Sequence, residues 1–142
     1  MTKLVHKLKP IRILVADDYT DWRGQIRLLL QDRSELQIIC EVDDGLQAVV
    51  KTEELKPDLV LLDVGLPPLN GIEAARQIRR FSASRIIFVS IDNSQDIVQT
   101  ALNTGALGYV HKPHIQRDLL RAIESVLAGR QFVSEGLSQA PD

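Results

Sequence analysis

The chain of 142 residues is 44% hydrophobic and 25% charged, with 17 basic and 19 acidic side chains. This length suits a single domain with a core of its own, and a net charge of −2 argues against binding nucleic acid through bulk positive charge. The single cysteine, Cys40, excludes a disulfide within the chain, and no apolar run is long enough for a signal peptide or a membrane span. We therefore expect a cytoplasmic protein that makes no membrane contact.

Apolar runs and helical spacings alternate along the chain. In order, the predicted elements are a strand at Ile11–Ala16, a helix over 19–33, a strand at Leu36–Val42, a helix over 46–56, a strand at Leu59–Leu62, a helix over 72–81, a strand at Arg85–Ser90, a helix over 94–103, a strand over 106–110 and a helix over 116–128. Thr20 is predicted to cap the first helix. Pro57 ends the second helix, because the residue before a proline is displaced from the α region. Gly105 suits a left-handed position after the fourth helix, and Gly129 stops the last one.

Five strands that alternate with five helices predict an α/β fold, with one doubly wound parallel sheet that has helices on both faces. Leu59–Leu62 consists of four apolar residues in a row, which is typical of a strand buried on both faces. We expect the domain to span residues 11–129. Residues 1–10 are then an N-terminal extension, and residues 130–142 are a linker or C-terminal tail.

Polar residues stand at the ends of these predicted strands. They are Asp17 and Asp18 after the first strand, Asp63 after the third, Ser90 at the end of the fourth and Lys112 after the fifth. In open α/β sheets, this carboxyl edge is where ligands bind. Three clustered carboxylates repel one another unless a divalent cation lies between them, and hard oxygen ligands favour Mg²⁺. Together with a lysine and a hydroxyl, the set suits a phosphoryl group whose covalent acceptor is an aspartate.

Each of these residues taken singly also has a simpler interpretation. An aspartate commonly opens a loop, and Lys112 could be a solvated loop lysine. A dinucleotide or P-loop site is excluded, because no glycine follows the first strand. His6, His111 and His114 match no metal-site or triad spacing, and we interpret them as surface or loop residues.

Short motifs surround the polar residues in a fixed order. After the acidic pair come the loop from Asp63 through Leu66-Pro67 to Asn70-Gly71, then Ser90, and then the segment from Gly105-Ala106 to Lys112-Pro113. The ordered set resembles the receiver domain of two-component response regulators over roughly residues 11–128. This resemblance implies the flavodoxin-like strand order 2-1-3-4-5. The segments that begin at Leu69 and Leu127 are similar to the branch that usually carries a C-terminal LuxR-type helix-turn-helix domain.

The resemblance implies a Mg²⁺-dependent phosphorylation site. Asp63 would accept a phosphoryl group from a phosphohistidine on a sensor histidine kinase. Asp17, Asp18, Asp63 and a backbone carbonyl near Gly65 would hold the Mg²⁺. The protein would then be a phosphoacceptor that catalyses its own phosphorylation and dephosphorylation, and not an enzyme acting on other substrates.

The resemblance also implies a conformational switch. Lys112 would pair with the phosphoryl oxygens, and Ser90 would hydrogen-bond one of them. Tyr109 would lie inward or outward according to the position of Ser90, and the Lys112-Pro113 peptide bond is expected to be cis. The output, transcription control, would use the face of the fourth helix, fifth strand and fifth helix. It would reach DNA only through a domain absent from these residues, and dimerisation on phosphorylation is a further expectation from the family.

Two positions depart from the family pattern. Ile91 follows Ser90 where a very small residue is usual, so we expect slow phosphorylation or a long-lived phosphoryl group. Gly65, two residues past Asp63, offers no side chain to position water, a task that could fall to Asp92. Two alternatives stay open: a receiver-like module that binds proteins without phosphorylation, and a Mg²⁺-dependent phosphohydrolase. The phosphohydrolase normally needs an acid where this chain has Gly65.

Overall fold

The computed structural model describes residues 9–137. In that range the strands are β1 (Ile11–Ala16), β2 (Leu36–Val42), β3 (Leu59–Leu62), β4 (Arg85–Ser90), β5 (Gly108–His111) and β6 (Phe132–Val133). The helices are α1 (Thr20–Leu30), α2 (Gly45–Leu55), α3 (Gly71–Arg79), α4 (Gln95–Asn103) and α5 (Ile115–Leu127), with one 3₁₀ turn at Lys112–His114.

The strands form one sheet of order β2-β1-β3-β4-β5-β6, and all its pairs are parallel. The predicted fold class and the order of the first five strands are confirmed. β3 lies at the centre, with all four residues buried, since α1 and α5 pack on one face of the sheet and α2, α3 and α4 on the other. No helix among residues 9–137 has the length and apolar character needed to cross a membrane.

Three helices begin with a short polar side chain that binds a backbone amide left without a partner in the first turn. The side chains of Asp44, Asn70 and Ser94 accept hydrogen bonds from the first turns of α2, α3 and α4. The predicted cap at Thr20 is wrong, because Thr20 is itself the first residue of α1 and Tyr19 occupies the cap position without a side-chain bond. Asp17 instead accepts a bond from the Tyr19 amide at 2.9 Å, so a site residue anchors the start of this helix.

A sixth strand follows α5 and was not predicted. β6 has two residues, too few for a periodic pattern, and it pairs with β5 through bonds from the Phe132 amide to the Leu107 carbonyl and from the Ser134 amide to the Tyr109 carbonyl, both 2.9 Å. The residues predicted to form a linker or tail therefore begin with an ordered strand. Of the segment after Gly136, only Leu137 is among the described residues.

The prediction of a cis bond between Lys112 and Pro113 is wrong. The cis bond among the described residues is Pro67-Pro68, in the loop after β3. Lys112, Pro113 and His114 form a 3₁₀ turn that leads directly into α5, and a helical turn requires trans peptide bonds.

A buried carboxylate fastens β6 to α5. Asp118 is 1% exposed and accepts bonds from the Ser134 hydroxyl at 2.7 Å and from Arg117 Nε at 2.9 Å. The Ser134 hydroxyl also accepts a bond from the His111 amide at 3.0 Å. Burial by itself raises the pKa of Asp118, but the bonds from Arg117 and Ser134 outweigh it, and the pKa lies below its ordinary value.

We expect this carboxylate to make stability depend on pH. Because the folded-state pKa is lowered, the stabilisation is present above the ordinary carboxyl pKa and is lost as the pH falls through the folded value. Asp118→Asn should lower the unfolding free energy by about 2 kcal/mol at pH 7, with the deficit shrinking in acid. Urea unfolding at neutral and acidic pH measures this, with the exposed Glu53→Gln as control. An equal deficit at both pH values would contradict the prediction.

Candidate functional site

Three carboxylates meet at the carboxyl ends of β1 and β3. The strands are adjacent, with Ala16 opposite Leu62, and the Asp63 amide donates to the Ala16 carbonyl at 3.0 Å. One oxygen from each of Asp17, Asp18 and Asp63 lies within 4.8 Å of the others. Asp17 is 2% exposed and Asp63 is 7% exposed, whereas Asp18 faces solvent.

Lys112 enters the cluster from the end of β5. Its ammonium lies 2.7 Å from Asp17 Oδ2 and 3.4 Å from Asp63 Oδ2, and the residue is 4% exposed. Three carboxylates and this one ammonium leave a net charge of −2 when all are ionised. A buried site of that charge with oxygen donors fits a divalent cation such as Mg²⁺, which would neutralise it.

The pKa of the Asp63 carboxyl reflects first its burial and then its charged neighbours. Burial raises the pKa of its carboxyl above the ordinary value, and the charge of Asp17 adds to the effect. Lys112 and the backbone amide of Gly65 lower the pKa, but not enough to cancel the rise. Ionised Asp63 is thus a carboxylate held in a partly dehydrated place, which favours its reaction with an electrophile.

Ser90, Asp92 and Tyr109 form a hydrogen-bonded group beside the carboxylates. Tyr109 is fully buried between β4 and β6, and its hydroxyl donates to the Asp92 carbonyl at 2.7 Å. The Asp92 amide in turn donates to the Ser90 hydroxyl at 3.1 Å. Burial raises the pKa of Tyr109 to about 12, so its hydroxyl remains a donor at neutral pH. The structure therefore has Tyr109 inward and joined to Ser90 through Asp92.

The loop after β3 is folded tightly against Asp63. The Gly71 amide donates to the Val64 carbonyl at 2.8 Å, and the Gly45 amide donates to the Pro67 carbonyl at 3.1 Å. A β-carbon at Gly71 would lie 1.9 Å from the backbone oxygen of Asp63. Gly65, in contrast, has open space around the position of a β-carbon.

These glycines predict opposite outcomes for the same substitution. Gly71→Ala should lower the unfolding free energy by about 2–3 kcal/mol, since the methyl group forces the Asp63 backbone to move. Gly65→Ala meets no atom and should stay within about 0.5 kcal/mol of the parent. Chemical denaturation of both variants measures the difference. Equal stabilities would show that the close approach at Gly71 has no energetic consequence.

A cavity of about 490 Å³ opens over Asp63 and Lys112, and its other walls are partly polar and partly apolar. Tyr19, Trp22 and Ile91 line it, and the Ile91 side chain is 67% exposed. In the sequence, Trp22 stands four residues before Ile26, a spacing that predicts only a core-facing position on the first helix. In the structure the Lys112 ammonium lies 5.1 Å from the centroid of the Trp22 ring.

Of the histidines that matched no site spacing, His111 and His114 lie outside this cavity. His111 Nε2 pairs with the Ile91 carbonyl at 3.1 Å, and the His111 ring packs edge-on against His114. His6 falls outside the described residues. Ser90 and Lys112 do line the cavity, together with Asp18, Asp63 and Gly65.

Comparison with known proteins gives consistent matches along the chain. The family model described as the response regulator receiver domain matches residues 13–124. The nitrate/nitrite response regulator protein NarL of Escherichia coli K12 is 36% identical over 131 residues, which cover 92% of this chain and 61% of that protein. Response regulator GacA of Pseudomonas viridiflava is 34% identical over 130 residues, which cover 91% of this chain and 61% of that protein. The chain thus spans about three fifths of the length of these relatives.

Solved structures match in the same way. A crystal structure of a LuxR-family two-component response regulator from Aurantimonas sp. SI85-9A1 has a TM-score of 0.85 and 34% identity, covering 91% of this chain and 93% of that chain. The signal receiver domain of the putative response regulator NarL from Mycobacterium tuberculosis has a TM-score of 0.81 and 27% identity, covering 86% of this chain and 99% of that chain.

Proposed function

Because this chain belongs to the response regulator receiver domain family, we propose that it is a signalling switch operated by phosphorylation of Asp63. The observation that carries the proposal is the position of Asp63. It is a buried carboxylate within reach of two further carboxylates and a lysine, and it faces an open cavity. The donor is a phosphohistidine on a sensor histidine kinase. An Asp63 oxygen forms the new O–P bond, the N–P bond breaks, and the imidazole nitrogen keeps the electron pair.

The remaining side chains act on the phosphoryl group. Asp17, Asp18, Asp63 and the backbone near Gly65 hold a Mg²⁺, which supplies neutralisation of the negative charge when it is bound. Lys112 pairs with the phosphoryl oxygens, for which it has only to shift from Asp17. Ser90 rotates to donate its hydroxyl hydrogen to a phosphoryl oxygen, and this rotation exchanges the bond that it accepts from the Asp92 amide. Because the Tyr109 hydroxyl binds the Asp92 carbonyl, this exchange alters the surface of α4 and β5.

The whole protein's output is inferred from the relatives. The match to the transcriptional regulatory protein DegU of Brevibacillus brevis supports control of transcription. A cytoplasmic location, and contact with DNA through a domain outside these residues, are part of the same proposal. Homodimerisation on phosphorylation through the face of α4, β5 and α5 is part of this proposal. The domain modifies only itself, so it is a phosphoacceptor and not an enzyme in the usual sense.

Intact-mass spectrometry after incubation with acetyl phosphate tests the proposal. We expect one phosphoryl adduct that forms with Mg²⁺ and does not form when the metal is chelated. No adduct under either condition would contradict the proposal and favour the phosphorylation-independent binding module. Continuous consumption of acetyl phosphate without an adduct would favour the phosphohydrolase, although Gly65 leaves that reaction without its general acid.

Ile91 is expected to slow this reaction. Its side chain borders the cavity where the usual very small residue would leave more room for the donor. Ile91→Ala should therefore accelerate adduct formation, by about threefold to tenfold, with little change in stability because the side chain is mostly exposed. Time courses with acetyl phosphate measure the rates. Unchanged rates of formation and loss would show that Ile91 does not limit access.

A further inference from the structure

Trp22 is the only tryptophan of the chain, and its indole forms a wall of the cavity above Asp63. It lies in the first turn of α1, where its amide donates to the Tyr19 carbonyl at 3.1 Å. That turn is anchored in the site itself, because the Tyr19 amide donates to Asp17 Oδ1 at 2.9 Å. The ring is therefore tied to the carboxylate cluster by the backbone and not only by packing.

The Lys112 ammonium has three neighbours that attract a cation. It is closest to Asp17, it lies 3.4 Å from Asp63, and the face of the Trp22 ring is 5.1 Å away. The first two are carboxylates that a divalent cation would also use. The indole is the neighbour that attracts an ammonium without being a metal ligand, through the negative charge density over its ring.

We propose that Trp22 is a positioning residue that holds the Lys112 ammonium beside Asp63 when Asp17 is engaged by a divalent cation. The inference rests on the proposed phosphorylation of Asp63. Without the indole, the flexible lysine side chain has only the carboxylates to bind, so it stays on Asp17 and competes with the metal. The indole also keeps water from the ammonium, which strengthens its attraction to the incoming phosphoryl group.

A double-mutant cycle tests this role. Trp22→Leu should slow adduct formation from acetyl phosphate about fivefold to tenfold, and Trp22→Phe should restore part of the rate, because phenylalanine keeps a weaker ring face. In a Lys112→Met background, Trp22→Leu should change the rate less than twofold. A purely structural role would slow the reaction equally in both backgrounds and would overturn the proposal.

A matched variant in the same helix separates packing from positioning. Leu29 is half-buried like Trp22 and packs against the same core cluster, but it does not line the cavity. Leu29→Ala should lower stability and leave the rate of adduct formation unchanged. A rate as low as that of Trp22→Leu would show that loosening α1 is sufficient, and would overturn the proposal.

Fluorescence gives a reading that does not depend on activity. All tryptophan emission comes from Trp22. Without metal, we expect Lys112→Met to have a different emission spectrum from wild type. Addition of Mg²⁺ should shift the emission more in wild type than in Lys112→Met. Identical spectra and identical Mg²⁺ responses would overturn the proposal.

If wild type forms no adduct at all, the proposed function fails. If wild type forms the adduct and Trp22→Leu forms it equally fast, only the role of Trp22 fails.

Discussion

Replacing Asp63 with asparagine is expected to abolish the phosphoryl adduct while making the domain more stable. The amide cannot act as the nucleophile, so no O–P bond forms at this position. The raised pKa of Asp63 means that its ionised form destabilises the fold at neutral pH, a penalty that grows as the pH rises through the folded value. The neutral amide removes this penalty, and we expect a gain of roughly 1 kcal/mol in unfolding free energy at pH 7. Intact-mass spectrometry and urea unfolding measure the two effects.

Loss of the adduct together with a gain in stability excludes unfolding as the reason that Asp63→Asn does not react. A variant that is more stable than its parent has not lost its reaction by unfolding. Asp58→Asn is a suitable control, since that carboxylate accepts the Arg12 amide at the opposite end of β1 and does not line the cavity. An adduct of wild-type yield on Asp63→Asn would show that another residue accepts the phosphoryl group.

Replacing Lys112 with methionine is expected to impair both stability and reaction. The carboxylates of Asp17 and Asp63 lose their shared cation, which should lower the unfolding free energy by about 3 kcal/mol without metal. Mg²⁺ should recover more of the stability of this variant than of wild type, because its site has the greater negative charge. Adduct formation should slow by about 10²-fold, the usual cost of losing one group that stabilises transition-state charge. Denaturation with and without Mg²⁺, together with mass time courses, measures these effects.

Lys51→Met is the matched control for this variant. Lys51 is paired with Glu54 on the surface of α2, 38% exposed, and its removal should change stability by less than about 0.5 kcal/mol. Loss of stability in Lys112→Met that Mg²⁺ does not reduce would contradict the electrostatic account and assign Lys112 a packing role.

Much of the fold was predictable because its strongest signals are local. The strands at Ile11–Ala16, Leu36–Val42, Leu59–Leu62 and Arg85–Ser90 have the bounds that were predicted from the sequence. In a parallel sheet the carboxyl ends meet at one edge, so the ends of β1, β3, β4 and β5 brought Asp63 and its neighbours together. The two-residue β6 could not be predicted from a local pattern, since its stability comes from bonds to β5 and from the buried Asp118.

Three details at the site were missed because several partners compete for the same group. Asp17 anchors the start of α1, so Thr20 is not the cap. Lys112 lies closer to Asp17 than to Asp63, which the order of residues does not reveal. Trp22 has helical spacing with the core residue Ile26, which predicts packing against the core. That spacing gives no indication that Trp22 also contacts Lys112. The sequence did contain a hint of this contact. Trp22 comes four residues after Asp18, so it lies in the first turn of a helix that begins beside the carboxylates.

Locating the phosphoryl group on the chain tests the central claim most directly. Borohydride cleaves an acyl phosphate and reduces the carbonyl carbon, so a phosphorylated aspartate becomes homoserine, which peptide sequencing by mass spectrometry can place. After incubation with Mg²⁺ and acetyl phosphate, the account predicts homoserine at position 63 and at neither Asp17 nor Asp18. Homoserine at either of those neighbours, or none at position 63 despite an adduct on the intact protein, would contradict it.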